Sequence, residues 1–123
     1  MIDGVVNAAY EAVVTLPVQG PAGRSREVEA VIDTGFNRFL TLPPALVAEL
    51  DLPFVTSGRV TLADGSQASF EVYDVTVLWN GQPREVYTYA ADSMPLVGML
   101  LLDGHDLSIQ VRDGGRVLIH AGE

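Results

Sequence analysis

The chain has 123 residues, enough for one domain with a hydrophobic core, and we treat residues 1–123 as a single domain. Hydrophobic residues make up 48% of the chain and charged residues 19%, a balance that excludes a disordered protein. The formal net charge is −9 and the chain has no Lys, so we expect no nucleic acid and no anionic membrane as a partner.

Two further features of the sequence bear on chemistry and location. The absence of Cys excludes disulfides and thiolate metal sites. The first ten residues, MIDGVVNAAY, lack the basic and apolar segments of a signal peptide. The most apolar run, PLVGMLLL at residues 95–102, is too short to cross a bilayer as a helix. We therefore expect a cytoplasmic protein.

The first predicted elements form a hairpin that leads to an acidic residue. Apolar and other residues alternate over residues 14–19, which indicates a strand with one buried face. A turn cluster, QGPAG at residues 19–23, follows it. Alternation resumes over residues 26–32, so a second strand delivers the chain to Asp33.

The middle of the chain predicts a short helix and then a second hairpin. Pro44 suits the first turn of a helix, and Leu46 and Val47 begin its apolar face. Residues 59–79 return to the two-residue period of strands. The pair Asp64-Gly65 inside that stretch predicts a two-residue hairpin turn, because both residue types tolerate positive φ.

The last third of the chain predicts more strands. NGQP at residues 80–83 reads as a turn before a strand at 84–90, and residues 106–120 read as strand, turn and strand. The expected fold class is therefore all-β, with about eight strands and one or two short helices. Strands this closely spaced are typical of a small barrel or a sandwich.

The most distinctive tripeptide is Asp33-Thr34-Gly35, placed where an apolar strand ends. A carboxylate beside a buried strand usually has a partner or a chemical role, because an unpaired buried charge is costly. Thr34 offers a hydroxyl, and Gly35 permits a tight backbone. The alternative is an ordinary turn in which Asp33 hydrogen-bonds its own backbone.

Three segments in order resemble the retropepsin-like aspartic peptidases. They are VIDTGF at 31–36, RVTLADGSQASFEVY at 59–73 and LVGMLLL at 96–102. They match the family's active-site loop, its flap hairpin and its apolar-apolar-Gly segment before a short helix. Phe36 after the tripeptide is most similar to a prokaryotic branch of the family. The resemblance implies a small closed β-barrel of the acid-protease type.

The resemblance also implies an activity, aspartic endopeptidase, and a second copy of the chain. Family enzymes hydrolyse peptide bonds with two carboxylates and a water, and this chain has one such tripeptide. The expected partners are thus a second subunit and a peptide or protein substrate, and no cofactor or metal is expected. Asp33, Thr34 and Gly35 would be the catalytic residues.

Other residues receive roles through the same resemblance. Those expected to contact substrate are Phe36, Asn37, Ala63, Asp64, Gly65, Ser66 and Gly98. Residues 63–66 would form the tip of the flap, and Gly98 would let the chain pass close behind the catalytic loop. Compared with the viral members of the family, the chain carries different residues at Phe36, at Asn37 and Arg38, and at Met99 and Leu100.

Two alternatives share part of this interpretation. One is a catalytically inactive retropepsin-like module that serves dimerisation or peptide binding. The other is an unrelated small β-barrel that contains the tripeptide by chance. His105 and His120 are 15 residues apart in a chain without Cys, which disfavours a zinc site.

Overall fold

The computed structural model describes residues 1–122, and they form mostly β-structure with two short helices. The strands are β1 (Ile2–Val6), β2 (Ala12–Gln19), β3 (Ser25–Ile32), β4 (Leu40–Leu42), β5 (Phe54–Thr61), β6 (Gln67–Trp79), β7 (Gln82–Ala90), β8 (Leu96–Val97), β9 (His105–Ile109) and β10 (Arg116–Ala121). The helices are α1 (Pro44–Glu49) and α2 (Met99–Leu102). The described residues thus contain ten strands, and the expectation of about eight was wrong.

Six of the strands form a ring. Following the hydrogen-bonded pairs, β2 adjoins β3, then β8, β4, β7 and β6, and β6 pairs back onto β2. Two of these pairings are parallel, β3 with β8 and β4 with β7. Outside the ring, β1 continues from β2 through β10 to β9, and β5 lies beyond β6. The hairpin β5–β6 therefore projects from one side of the ring.

The ring encloses the hydrophobic core because its strands alternate in side-chain direction. In β2 the buried residues are Ala12, Val14, Leu16 and Val18, and in β3 they are Val28, Ala30 and Ile32. Successive side chains of a strand point to opposite faces, so each strand contributes every second residue to the interior. Among the largest fully buried side chains are Leu16, Leu40, Leu42, Leu50, Leu101 and Ile119.

The two predicted hairpin turns have different geometries from one another. Asn80 and Gly81 both have positive φ, 53° and 80°, and Trp79 pairs with Gln82, so this is a two-residue turn. At the other hairpin only Gly65 has positive φ, at 85°. The Leu62 amide donates to the Ser66 carbonyl there, which leaves a three-residue loop. The predicted two-residue turn at 64–65 is therefore wrong.

The fold brings two distant parts of the chain together at the end of β3. Residues 33–39 connect β3 to β4, and we call them the Asp33 loop. Because β8 lies between β3 and β4 in the sheet, the chain entering α2 passes directly beside this loop. The Asp-Thr-Gly sequence is thus held at a junction of three strands and a helix.

Candidate functional site

The Asp33 loop is fixed by backbone hydrogen bonds to the segment that joins β8 to α2. The Asp33 amide donates to the Val97 carbonyl at 2.9 Å, and the Gly98 amide donates to the Phe39 carbonyl at 2.9 Å. Two further bonds run from the Met99 amide to the Phe36 carbonyl, 2.8 Å, and from the Leu100 amide to the Arg38 carbonyl, 3.2 Å. The loop backbone is therefore pinned along its length.

Gly98 occupies a position at which no side chain fits. A Cβ atom placed on it would lie 2.0 Å from the Arg38 carbonyl oxygen and 2.8 Å from that of Phe36. It would also lie 2.6 Å from Cδ2 of the Phe36 ring. Only glycine allows two backbone segments to approach this closely. Gly98 thus lets α2 begin directly against the Asp33 loop.

The Asp33 side chain is half-buried, and the two residues after it are exposed. Its Oδ1 accepts a hydrogen bond from the Gly35 amide at 2.9 Å, and the Phe36 amide donates to the Asp33 carbonyl at 3.1 Å. This is a turn closed by the aspartate itself, as in the ordinary-turn interpretation. The three residues of the tripeptide nevertheless reach the surface, since Thr34 and Gly35 are exposed and Asp33 is half-buried.

The tip of the β5–β6 hairpin is a self-contained turn. Asp64 Oδ1 accepts hydrogen bonds from the Ser66 amide at 2.9 Å and the Ser66 hydroxyl at 2.6 Å. These two bonds lower the pKa of the Asp64 carboxyl below its ordinary value of 3.8, and the bond from the Ser66 hydroxyl has the larger effect. Ala63, Asp64, Gly65 and Ser66 are all exposed, and the tip's hydrogen bonds run within residues 62–66. Within residues 1–122, no hydrogen bond joins the predicted flap residues to the Asp33 loop.

Three aromatic rings connect the Asp33 loop to the hairpin. Phe36 meets Tyr89 edge-on with ring centroids 6.4 Å apart, and Tyr89 meets Phe70 of β6 at 5.4 Å. We call Phe36, Tyr89 and Phe70 the aromatic row. Phe70 was not among the residues predicted for the site. Strand register could have found it, because Val72 pairs with Tyr89 and Phe70 lies two residues away on the same face.

An open groove of about 580 Å³ lies on the other side of the Asp33 loop. Thr34 and Asn37 line it from the loop, and Met99 and Leu100 line it from α2. These last two side chains are 46% and 38% exposed although both are apolar. The surface beside Asp33-Thr34-Gly35 therefore exposes apolar side chains at Met99 and Leu100.

His105, which lines the groove, is engaged at both ring nitrogens. The indole nitrogen of the buried Trp79 donates to Nε2 of His105 at 3.0 Å, and Nδ1 of His105 lies 3.0 Å from the Asp103 carbonyl. His105 and His120 lie on neighbouring strands, β9 and β10. Residues 1–122 contain no group of three or more His, Cys, Asp or Glu side chains placed to hold a metal ion.

No protein-family model matches the chain, and no curated protein matches it. Among the described residues, neither helix is long and apolar enough to cross a membrane. Function is therefore inferred from the residues of the site and their geometry.

Proposed function

We propose that the chain is a homodimeric aspartic endopeptidase of the retropepsin-like type. Asp33 from each of two chains would face its copy across a two-fold axis, the commonest geometry of protein dimers. The observation that carries this proposal is the half-buried Asp33 carboxylate, held with the exposed Thr34 and Gly35 on a loop pinned to the β8–α2 segment. A rigid, outward-facing carboxylate is what such a shared site requires.

The chemistry of the pair follows from its charge. Two carboxylates in contact cannot both ionise cheaply, so they share one proton and titrate as a unit; aspartic proteases are the standard example of this effect. The ionised carboxylate would take a proton from water as the water attacks the peptide carbonyl. The protonated one would hydrogen-bond the carbonyl oxygen and then protonate the leaving amine.

Two features of the chain support a second copy at this position. Thr34 and Gly35 of the loop are exposed, the adjoining groove is lined by the exposed Met99 and Leu100, and nothing within residues 1–122 covers either feature. Apolar side chains exposed beside a binding site are typical of interaction surfaces. The hairpin β5–β6 projects from the ring, where it could close over a peptide.

The second candidate is an inactive module of the same fold that binds peptides or dimerises. One observation favours it: the Asp33 carboxylate is already used to close its own turn through Gly35. An aspartate that only shapes a turn can be replaced by asparagine without loss of function, because asparagine makes the same turn. The two candidates therefore differ in what Asp33→Asn does.

The test is cleavage of a pool of unstructured peptides by the wild type and by Asp33→Asn, followed by mass spectrometry between pH 3 and 7. We expect cleavage by the wild type and loss of at least about a hundredfold in Asp33→Asn, because a neutral amide cannot act as the base. Asp113→Asn makes the same chemical change in the exposed turn between β9 and β10 and should retain full activity. Equal activity in all three proteins would place the chemistry elsewhere.

A mixing experiment tests whether the site is shared. When equal amounts of wild type and Asp33→Asn exchange subunits freely, about one dimer in four carries two aspartates. Activity should then fall to about half of that given by the wild-type component alone. An unchanged activity would mean that a single chain suffices, and an absence of any cleavage would leave the inactive module as the better description.

A further inference from the structure

Five of the seven Arg side chains form no salt bridge within residues 1–122, and Arg38 is the one that belongs to the Asp33 loop. It lies in the Asp33 loop and is exposed. The salt bridges within residues 1–122 join Arg26 to Glu49, Arg116 to Asp3 and, when protonated, His120 to Asp106. The guanidinium of Arg38 instead lies over the ring of Tyr89, 6.0 Å from its centroid.

The structure holds this cation in place from two sides. The Arg38 carbonyl accepts the Leu100 amide at 3.2 Å, and the close approach of Gly98 fixes the backbone around it. The ring of Tyr89 restrains the other end, because cations are attracted to aromatic faces. A restrained guanidinium loses less conformational freedom when it binds a carboxylate than a free one would.

Arg38 also lies beside the aromatic row that joins the Asp33 loop to the hairpin. Tyr89, over which it stacks, is the middle ring of the aromatic row that runs from Phe36 to Phe70. An extended peptide bound between the Asp33 loop and the hairpin would pass these rings. A peptide lying along the row would therefore meet apolar rings and the guanidinium of Arg38 beside Tyr89.

The surrounding charges make this cation distinctive. The chain carries 16 acidic residues and only seven Arg, so most of its surface repels acidic peptides. Glu71 alternates with Phe70 along β6 and accepts a hydrogen bond from Tyr73, away from the row. Asp74 shares the face of Tyr89 without forming an ion pair to Arg38 among the described residues. Arg38, in the Asp33 loop beside Tyr89, is thus a charge-complementary point for a carboxylate at this end of the row.

We propose that Arg38 is a specificity-determining residue that binds the side-chain carboxylate of a Glu or Asp in the bound peptide. The inference rests on the proposed function, since it places that peptide between the Asp33 loop and the hairpin. The planar guanidinium can bind a carboxylate through two parallel N–H···O bonds, which selects Glu over the isosteric Gln.

The test measures binding separately from cleavage. Two pools of fluorescein-labelled, unstructured peptides share the same apolar residues and differ only in carrying Glu or Gln at the variable positions. Their affinities for the Asp33→Asn variant are compared by fluorescence anisotropy at pH 7. We expect the Glu pool to bind about fivefold more tightly, as for one partly exposed ion pair, and the preference to shrink as salt is added.

Variants assign the preference to this side chain. Arg38→Gln should abolish it, Arg38→Lys should keep part of it because the charge remains, and Arg112→Gln, in the exposed β9–β10 turn, should leave it unchanged. Thermal melting identifies any variant that fails to fold. If Arg38→Gln fails to fold, the preference for Glu is compared between the wild-type Arg38 and Arg38→Lys. Equal binding of both pools, no binding of either pool, or equal losses in Arg38→Gln and Arg112→Gln would each overturn the proposal.

One further outcome separates a peptide site from a subunit contact. If Arg38→Gln changes the sedimentation of the protein but not the peptide preference, the cation pairs with a second copy and the proposal is wrong. Failure of the proposed peptidase activity is distinguishable from failure of this inference. A wild type that cleaves no peptide but prefers Glu through Arg38 would remove the peptidase and leave the specificity site standing.

Discussion

At the scale of single residues, Gly98 and Gly115 both lie too close to a backbone carbonyl to carry a side chain, but they lie in different parts of the molecule. A Cβ on Gly98 would lie 2.0 Å from the Arg38 carbonyl, and a Cβ on Gly115 would lie 1.9 Å from the Gln110 carbonyl. Gly98 adjoins the Asp33 loop, whereas Gly115 adjoins the turn between β9 and β10. The pair therefore separates a local distortion of the site from a general loss of stability.

We expect Gly98→Ala to lower stability by about 1–3 kcal/mol, because the added methyl must displace the loop backbone. It should also disable any peptide cleavage at temperatures where the protein is still folded. Gly115→Ala should cost a similar amount of stability and leave cleavage and peptide binding unchanged. Urea unfolding curves and cleavage assays on both variants check this, and full function in a folded Gly98→Ala would show that the close approach is not needed.

At the scale of elements, local signals predicted β2, β3 and the start of α1, and they predicted the turn geometry less well. Alternation over residues 14–19 and 26–32 marked β2 and β3, and Pro44 marked the start of α1. The sequence Asp64-Gly65 was expected to form a two-residue turn, but only Gly65 adopts positive φ. Asp64 keeps negative φ, and its carboxylate accepts both Ser66 donors in the three-residue loop. A three-residue loop that ends in a left-handed Gly uses the same dipeptide as a two-residue turn, so the dipeptide alone does not distinguish them.

The hairpin tip should respond to acid. The hydrogen bonds from Ser66 lower the pKa of Asp64 in the folded protein. The stability that these bonds give the turn is therefore fully present above pH 3.8 and is lost as the pH falls through the lowered pKa of the folded state. We expect the Ser66 amide resonance and its exchange protection to be constant from pH 7 to about 5 and to change below 3.8. Proton–nitrogen NMR spectra across this range measure both.

The matched variant for the tip is Asp64→Asn, whose amide oxygen can still accept from Ser66 but does not titrate in this range. Its Ser66 resonance should be independent of pH. In the control variant Asp92→Asn, which changes the exposed segment before β8, the Ser66 resonance should depend on pH as it does in the wild type. A wild-type Ser66 signal that stays constant down to pH 2 would contradict the assignment of the acid response to Asp64.

At the scale of the whole molecule, the ring of strands depends on contacts that local sequence does not encode. β4 has three residues and β8 has two, so neither is long enough to show a period. Their places in the ring come from parallel pairing with β7 and β3, partners far away in the chain. The Asp33 loop could be predicted from its tripeptide, whereas the aromatic row and the stacking of Arg38 on Tyr89 needed the assembled sheet.

Net charge sets the expected behaviour of the proposed dimer. Each chain carries −9, so two copies repel one another at low ionic strength. The surface beside the Asp33 loop contributes the apolar Met99 and Leu100, whose burial does not depend on charge. Added salt should therefore strengthen association by screening the repulsion, with the Debye length falling from about 30 Å at 0.01 M to about 10 Å at 0.1 M.

Sedimentation at micromolar concentration should show more dimer at 0.3 M than at 0.01 M sodium chloride, by about tenfold in the dissociation constant. Leu100→Glu should favour the monomer at both salt concentrations, because it places a charge on the apolar surface beside the loop. Tyr10→Glu, at an exposed residue before β2, adds the same charge away from the loop and should have a much smaller effect. A dimer weakened by salt would mean that ion pairs hold the subunits together, and a monomer at millimolar concentration in every salt would leave Asp33 without the second carboxylate that the proposed chemistry requires.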